Sequence, residues 1–222
     1  MTANAETPDG SIPRSIRVNG TGKVSAPPDK ADLTLAVEVN TKTAEAARTE
    51  AANAMDAMII AVKNAGVADK DIQTSAVSLY PTYSGDAANK INGYHLTNQI
   101  TVSIHTINKA SDIIDAAVQA GGNSARVQGI TFGIDNTEPL LSQAREKAYA
   151  NAKMKALEYA RLAGVNLASP LQINEGNAIS PSPMPYGEMR TMKAAMADGA
   201  ATPVQAGEQE VTVNVDVIFG IR

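Results

Sequence analysis

The sequence predicts an α+β fold: antiparallel sheet or sheets with three helices packed on one face, in the order ββα-ββα-βα-ββ. Two observations carry this. Apolar and polar residues alternate with a period of two over several segments, so each strand buries one face only, which parallel sheets seldom allow. Between those segments, apolar residues recur at spacings of three and four and the pattern stops at glycine, as amphipathic helices do.

The elements follow in order along the chain. Ile16, Val18 and Val24 mark a first strand, with Gly20-Thr21-Gly22 inside it as a kink or bulge. Leu33, Leu35, Val37 and Val39 alternate with Asp32, Thr34 and Glu38 in a second. A helix from about Thr43 to Ala65 carries Ala51, Met55, Met58, Val62 and Ala65 on one face and ends at Gly66. Val77, Leu79 and Tyr83 mark the third strand. From Tyr94 to Thr106, Leu96, Ile100, Val102 and Ile104 alternate with polar residues to form the fourth. The second helix, about Lys109 to Ala120, turns Ile113, Ile114 and Ala117 inward and stops at Gly121-Gly122. In the fifth strand, Val127, Ile130, Phe132 and Ile134 change parity at Gln128-Gly129, which predicts a bulge. The third helix, about Glu138 to Ala163, has Thr137 as its N-cap, Pro139 in its first turn and Gly164 after its end. Its apolar stripe is Ala144, Ala148, Ala152, Ala156 and Ala160, small enough for a backbone to come close. A weaker strand, Leu171 to Asn174, precedes the last, in which Val211, Val213, Val215, Val217, Phe219 and Ile221 share a face.

Residues 177–207 differ in character. Pro181, Pro183 and Pro185 favour an extended chain, and four of the eight methionines fall there. The expected organisation is a polar, flexible leader over 1–13 and one domain over 14–222 that includes 177–207 as an extended arm. The leader carries no apolar core of the kind a signal peptide needs.

Composition excludes several functions. The longest apolar stretch, around Met55 to Val62, is far short of the ~20 residues of a membrane span. A net charge of −4 without a dense Lys/Arg run, no Trp and only 4% aromatic residues argue against nucleic-acid binding. The absence of Cys removes disulfides, thiolate metal sites and thiol catalysis together.

No motif assembles a catalytic or cofactor site. Gly20-Thr21-Gly22-Lys23 has Arg17 where a phosphate-binding loop needs glycine, and Ser25 where a dinucleotide fingerprint needs its third. His95 and His105 share a polar strand face but stand about 33 Å apart on an extended strand, too far to share a metal. They read as surface or interface imidazoles. Gly122-Asn123-Ser124-Ala125-Arg126 departs from the nucleophile-elbow pattern at its last position. Asp112 and Asp115 lie near a helix start, where carboxylates favour the macrodipole. The methionines suit adaptable packing against a neighbouring subunit; thioethers also suit Cu(I) or an oxidant. The candidate oligomer contact is therefore Pro183, Met184, Pro185, Met189, Met192 and Met196, with no catalytic, cofactor or metal residue assigned.

Several ordered motifs resemble the SIMPL-domain family. They are Val18-Asn19-Gly20-Thr21-Gly22 with Pro28-Asp29-Lys30-Ala31, Asp71-Ile72-Gln73-Thr74 leading to Tyr80-Pro81-Thr82-Tyr83, and Gly93-Tyr94. Ala144-Arg145-Glu146-Lys147-Ala148 and Ala160-Arg161-Leu162-Ala163-Gly164-Val165 match the family's long helix. Pro183-Met184-Pro185, Arg190-Thr191-Met192 and Ala206-Gly207-Glu208 resemble its immunogenic periplasmic branch, from which Tyr186-Gly187-Glu188 departs. The resemblance spans about Ser15 to Arg222. It implies a periplasmic or envelope location, a ring-like homo-oligomer with a channel-like centre, and a loose link to oxidative-stress defence. It supplies no catalytic residues to carry over.

Overall fold

The structure, a computed structural model, describes residues 14–84, 90–176, 179–183 and 202–222. Its elements are β1 (Ser15–Ala26), β2 (Lys30–Thr41), α1 (Ala44–Asn64), β3 (Ile72–Tyr83), β4 (Ile91–Ile104), α2 (Ala110–Gly121), β5 (Ala125–Gly133), α3 (Glu138–Leu162), β6 (Leu167–Glu175), β7 (Ile179–Pro183) and β8 (Gln209–Ile221). This is the expected α+β order with one short strand, β7, added. Both proline positions of β7 lie on a strand paired on one side only, the place in a sheet where proline is tolerated. All pairings are antiparallel, but the strands form two sheets and the chain divides into two compact units. The three helices are accordingly shared between two sheets.

One unit holds the sheet β3-β4-β2-β5. β4 lies between β2 and β3, and β2 between β4 and β5, so each helix-linked strand pair is split by a third strand, as in ferredoxin-like folds. α1 buries Ala47, Ala51, Met55, Met58 and Val62, and α2 buries Ile113, Ile114 and Ala117, against Leu33, Leu35, Ile100 and Val102. Thr43 caps α1 by accepting from the Ala46 N–H at 3.2 Å, and Gly66 takes a φ of 105° just past its end. The predicted bulge is present: the β2–β5 register slips between Thr34 and Leu35, opposite Gln128. The opposite face of this sheet is polar, with Ser103 donating to Asp32 at 2.6 Å.

The other unit places β8 centrally, with β1 along one side and β6 and β7 in succession along the other. α3 lies on its inner face, where Ala144, Ala148, Ala152 and Ala156 meet Val18, Val24, Val213, Val217 and Phe219. The two β1 glycines account for this contact. The inner face of β1 reads Val18-Gly20-Gly22-Val24. A Cβ at Gly20 would overlap the Ala148 carbonyl oxygen and stand 2.7 Å from the Ala152 nitrogen. One at Gly22 would overlap the Ala144 carbonyl and stand 2.5 Å from the Ala148 nitrogen. The expected kink or bulge is absent, since β1 pairs with β8 in unbroken register from Ser15 to Ala26. The glycines instead admit the helix backbone. A second local reading also changes: Thr137 precedes α3 but its hydroxyl makes no capping bond, and Asn136 Oδ1 accepts from the Glu138 N–H at 3.2 Å.

Candidate functional site

The residues marked by sequence make separate local contacts within their own units. Gly20 and Gly22 face α3, and Lys23 pairs with Glu210 at 2.7 Å. His95 is half-buried on the polar sheet face, bonded through Nδ1 to Asn40 Oδ1 at 2.9 Å and through Nε2 to Thr97 at 3.1 Å. Its ring tilts over Tyr80, with centroids 5.1 Å apart. His105 approaches Asp71 at 3.4 Å on a different part of that unit. Asp112 is exposed in the first turn of α2, while Asp115 accepts from the Thr202 hydroxyl at 2.8 Å. Arg126 pairs with Glu38 at 3.1 Å and donates to the carbonyls of Asn123 and Ala125, so the 122–126 segment closes a turn. Pro183 ends β7; Met184, Pro185, Met189, Met192 and Met196 lie outside the described residues.

Among the described residues, no group of three or more His, Asp or Glu side chains converges as a metal site. The perturbed ionisations belong to surface ion pairs. Hydrogen bonds from Arg145 to Glu138 and Glu175 raise its guanidinium pKa, and the hydrogen bond from Lys23 lowers that of the Glu210 carboxyl. Both pairs join neighbouring elements of one unit.

The most distinctive surface is the β3 edge. β3 is twelve residues long and pairs on one side only, with β4. Val77, Leu79, Tyr80 and Tyr83 are exposed along it (63% for Val77, 57% for Tyr83), and Ile91 follows across the hairpin. Their alternation resembles that of the buried strands, but α1 packs chiefly on β2 and β4 and leaves this end of the sheet uncovered. No side chain among the described residues is hydrogen-bonded to the β3 backbone on its free side.

The β1 edge is treated differently. Lys147 donates to the Lys23 carbonyl at 3.1 Å, Lys155 to the Asn19 carbonyl at 2.9 Å, and the Thr21 N–H donates to Asn151 Oδ1 at 3.3 Å. Residues 147, 151 and 155 are spaced by four, so they form one row on α3 beside the alanine stripe. They occupy outward backbone groups that would otherwise template another strand. Sequence reasoning missed this row; its signal was a polar i, i+4, i+8 line flanking Ala144, Ala148, Ala152 and Ala156.

Comparison with known proteins places the chain in a family. A family model described as SIMPL, protein of unknown function (DUF541), matches residues 16–219. The 26 kDa periplasmic immunogenic protein of Brucella melitensis is 36% identical over 220 residues, covering 95% of this chain and 86% of that protein. The uncharacterized protein YggE of Escherichia coli K12 is 29% identical over 229 residues, covering all of this chain and 88% of its own. The human interleukin-1 receptor-associated kinase 1-binding protein 1 is 27% identical over 164 residues, covering 73% of this chain and 60% of its own. No helix among the described residues is long and apolar enough to cross a membrane. With a family model matched almost from end to end, this chain belongs to the SIMPL family.

Proposed function

We propose that the chain is a non-enzymatic periplasmic protein of the cell envelope that works as a homo-oligomer, closed into a ring with a channel-like centre. The observation that supports this best is the open β3 edge: a long strand with one unpaired side and exposed Val77, Leu79 and Tyr83. Natural proteins normally blunt such an edge, and this chain does so at β1. A second copy is the surface that would cover it, and repeated identical contacts close into rings when the rotation per copy allows. The periplasmic location rests on the named relatives, and a peripheral association with the envelope belongs to the same proposal. The contact extends to the arm through Pro183, Met184, Pro185, Met189, Met192 and Met196.

The test is sedimentation velocity of the wild type beside a Val77→Lys/Leu79→Lys variant. Both positions are exposed, so circular dichroism should stay native while the variant sediments as a smaller species. A monomeric wild type, or a variant that keeps the full assembly mass, overturns the edge as the contact. Replacing 184–201 with a Gly/Ser segment of equal length tests the arm by the same measurement.

A second reading, soft-metal or oxidant binding and with it the oxidative-stress link, is favoured by the clustering of four of the eight methionines in 177–207. Copper titration of the wild type against a Met184→Leu/Met189→Leu/Met192→Leu/Met196→Leu variant decides it. Equal and negligible uptake by both removes this reading.

A further inference from the structure

The described residues of the ferredoxin-like unit line an open apolar cavity of about 550 Å³ between α2, β5 and residues 202–205. Val118, Val127, Ile130 and Phe132 form much of its wall, and Val118 and Val127 are each more than 40% exposed there. The 202–205 segment is tied across it. Ser111 donates to the Thr202 carbonyl at 2.7 Å, the Thr202 hydroxyl donates to Asp115 Oδ1 at 2.8 Å, and Val204 packs against the core. These ties hold the segment in place while the space beside it stays open, and that space lies within the size range of small-molecule sites.

The polar lining is sparse and asymmetric. Among the described residues Asp115 is its one charged group, beside the amides of Gln119 and Gln205. Oδ1 of Asp115 is occupied by Thr202, and Oδ2 has no hydrogen-bond partner among the described residues. A lone carboxylate beside apolar walls favours a cationic head and disfavours an anionic one. Among the described residues, no Lys, Arg or His lines the cavity to neutralise it.

We propose that this cavity binds a small amphipathic amine, with its hydrocarbon body against Val118, Val127, Ile130 and Phe132 and its ammonium group on Asp115 Oδ2. The proposal is independent of self-association, since it uses α2 and β5 and leaves β3 free.

Decylamine, decanol and decanoate serve as matched probes, titrated calorimetrically into the full chain at concentrations below micelle formation. Decylamine should saturate at one equivalent and bind more tightly than decanol, and decanoate should bind most weakly. Asp115→Asn keeps an acceptor for Thr202 but removes the charge; it should weaken decylamine about tenfold and leave decanol unchanged. Val127→Phe fills the cavity and should abolish binding of both. Should that variant fail to fold, Val118→Phe fills the same space from an exposed helix position. Three results would overturn the proposal: no saturable binding by the wild type, decanoate binding as tightly as decylamine, or wild-type affinity in both the Asp115→Asn and the cavity-filling variants.

Discussion

Two of the edge strands, β1 and β3, are of equal length and paired on one side, yet they are finished in opposite ways. Along β1, α3 comes so close that Lys147, Asn151 and Lys155 reach over the strand and bond to its outward backbone groups. That reach depends on the helix lying low, and the helix lies low because alanines face glycines. Along β3 the covering helix is α1, which fills the space over β2 and β4 with Met55, Met58 and Val62. Those side chains are larger than the alanines of α3, and no polar row of α1 is bonded to β3 among the described residues. Close Ala/Gly packing thus protects an edge as well as a core, and its absence at β3 leaves apolar side chains and backbone available to a second copy.

The comparison breaks most readily at Gly20. Gly20→Val should cost more than about 3 kcal/mol, because the obstructing atoms are the α3 backbone and cannot rotate away as a side chain would. Denaturant unfolding should show a large fall in midpoint. A midpoint within experimental error of the wild type would mean that the helix does not rest its backbone against Gly20. Ala152→Leu probes the same contact from the helix side. Ala152 is fully buried, and a branched side chain there should cost about 1–3 kcal/mol. An unchanged midpoint would contradict the helix orientation.

Much of this was legible in the sequence, for physical reasons that differ by element. The glycine that ends α1, the bulge at Gln128 and the alanine face of α3 are local features, each set by a few neighbouring residues. Gly20 and Gly22 were legible as structural rather than phosphate-binding, but a kink and a helix contact call for the same residue, and the choice lies with α3 more than a hundred residues away. Thr137 fits an N-cap by type, but its backbone is already helical, so Asn136 supplies the capping oxygen. The division into two sheets depends on pairings between distant strands, which alternation cannot encode. For the same reason Val77 and Leu79 match the pattern of buried strands while lying at an edge. Period two reports that a strand has two unlike faces; it does not report whether a helix reaches the apolar one. The protective row on α3 was hidden because lysine and asparagine on a helix ordinarily face solvent.

Opening the β1 edge should have a smaller effect on stability and a visible one on association. Lys147→Ala/Lys155→Ala removes two exposed side-chain-to-backbone bonds, each contributing about 1 kcal/mol or less. Combined with Val77→Lys/Leu79→Lys, which takes the β3 edge out of play, the double change should produce a new concentration-dependent species through β1. Sedimentation velocity over a tenfold concentration range measures it. If the combined variant stays as small as Val77→Lys/Leu79→Lys alone, the α3 row does not protect the edge.

The smallest effect concerns how β1 is held on its paired side. Lys23 bonds to Glu210 of β8 at 2.7 Å, and that bond holds the Glu210 carboxyl below its ordinary pKa. A carboxyl whose pKa is lowered by folding stabilises the folded state above its unfolded pKa, and the contribution is lost as pH falls through the folded value. The difference in unfolding midpoint between wild type and Lys23→Gln should therefore be present at neutral pH, shrink below the ordinary glutamate range of about pH 4.3, and vanish in stronger acid. Both groups are solvent-accessible, so the difference should also diminish with added salt. A difference that stays constant from neutral to acid pH would show that Lys23 acts through its methylene packing on β1 and not through the charge it presents to Glu210.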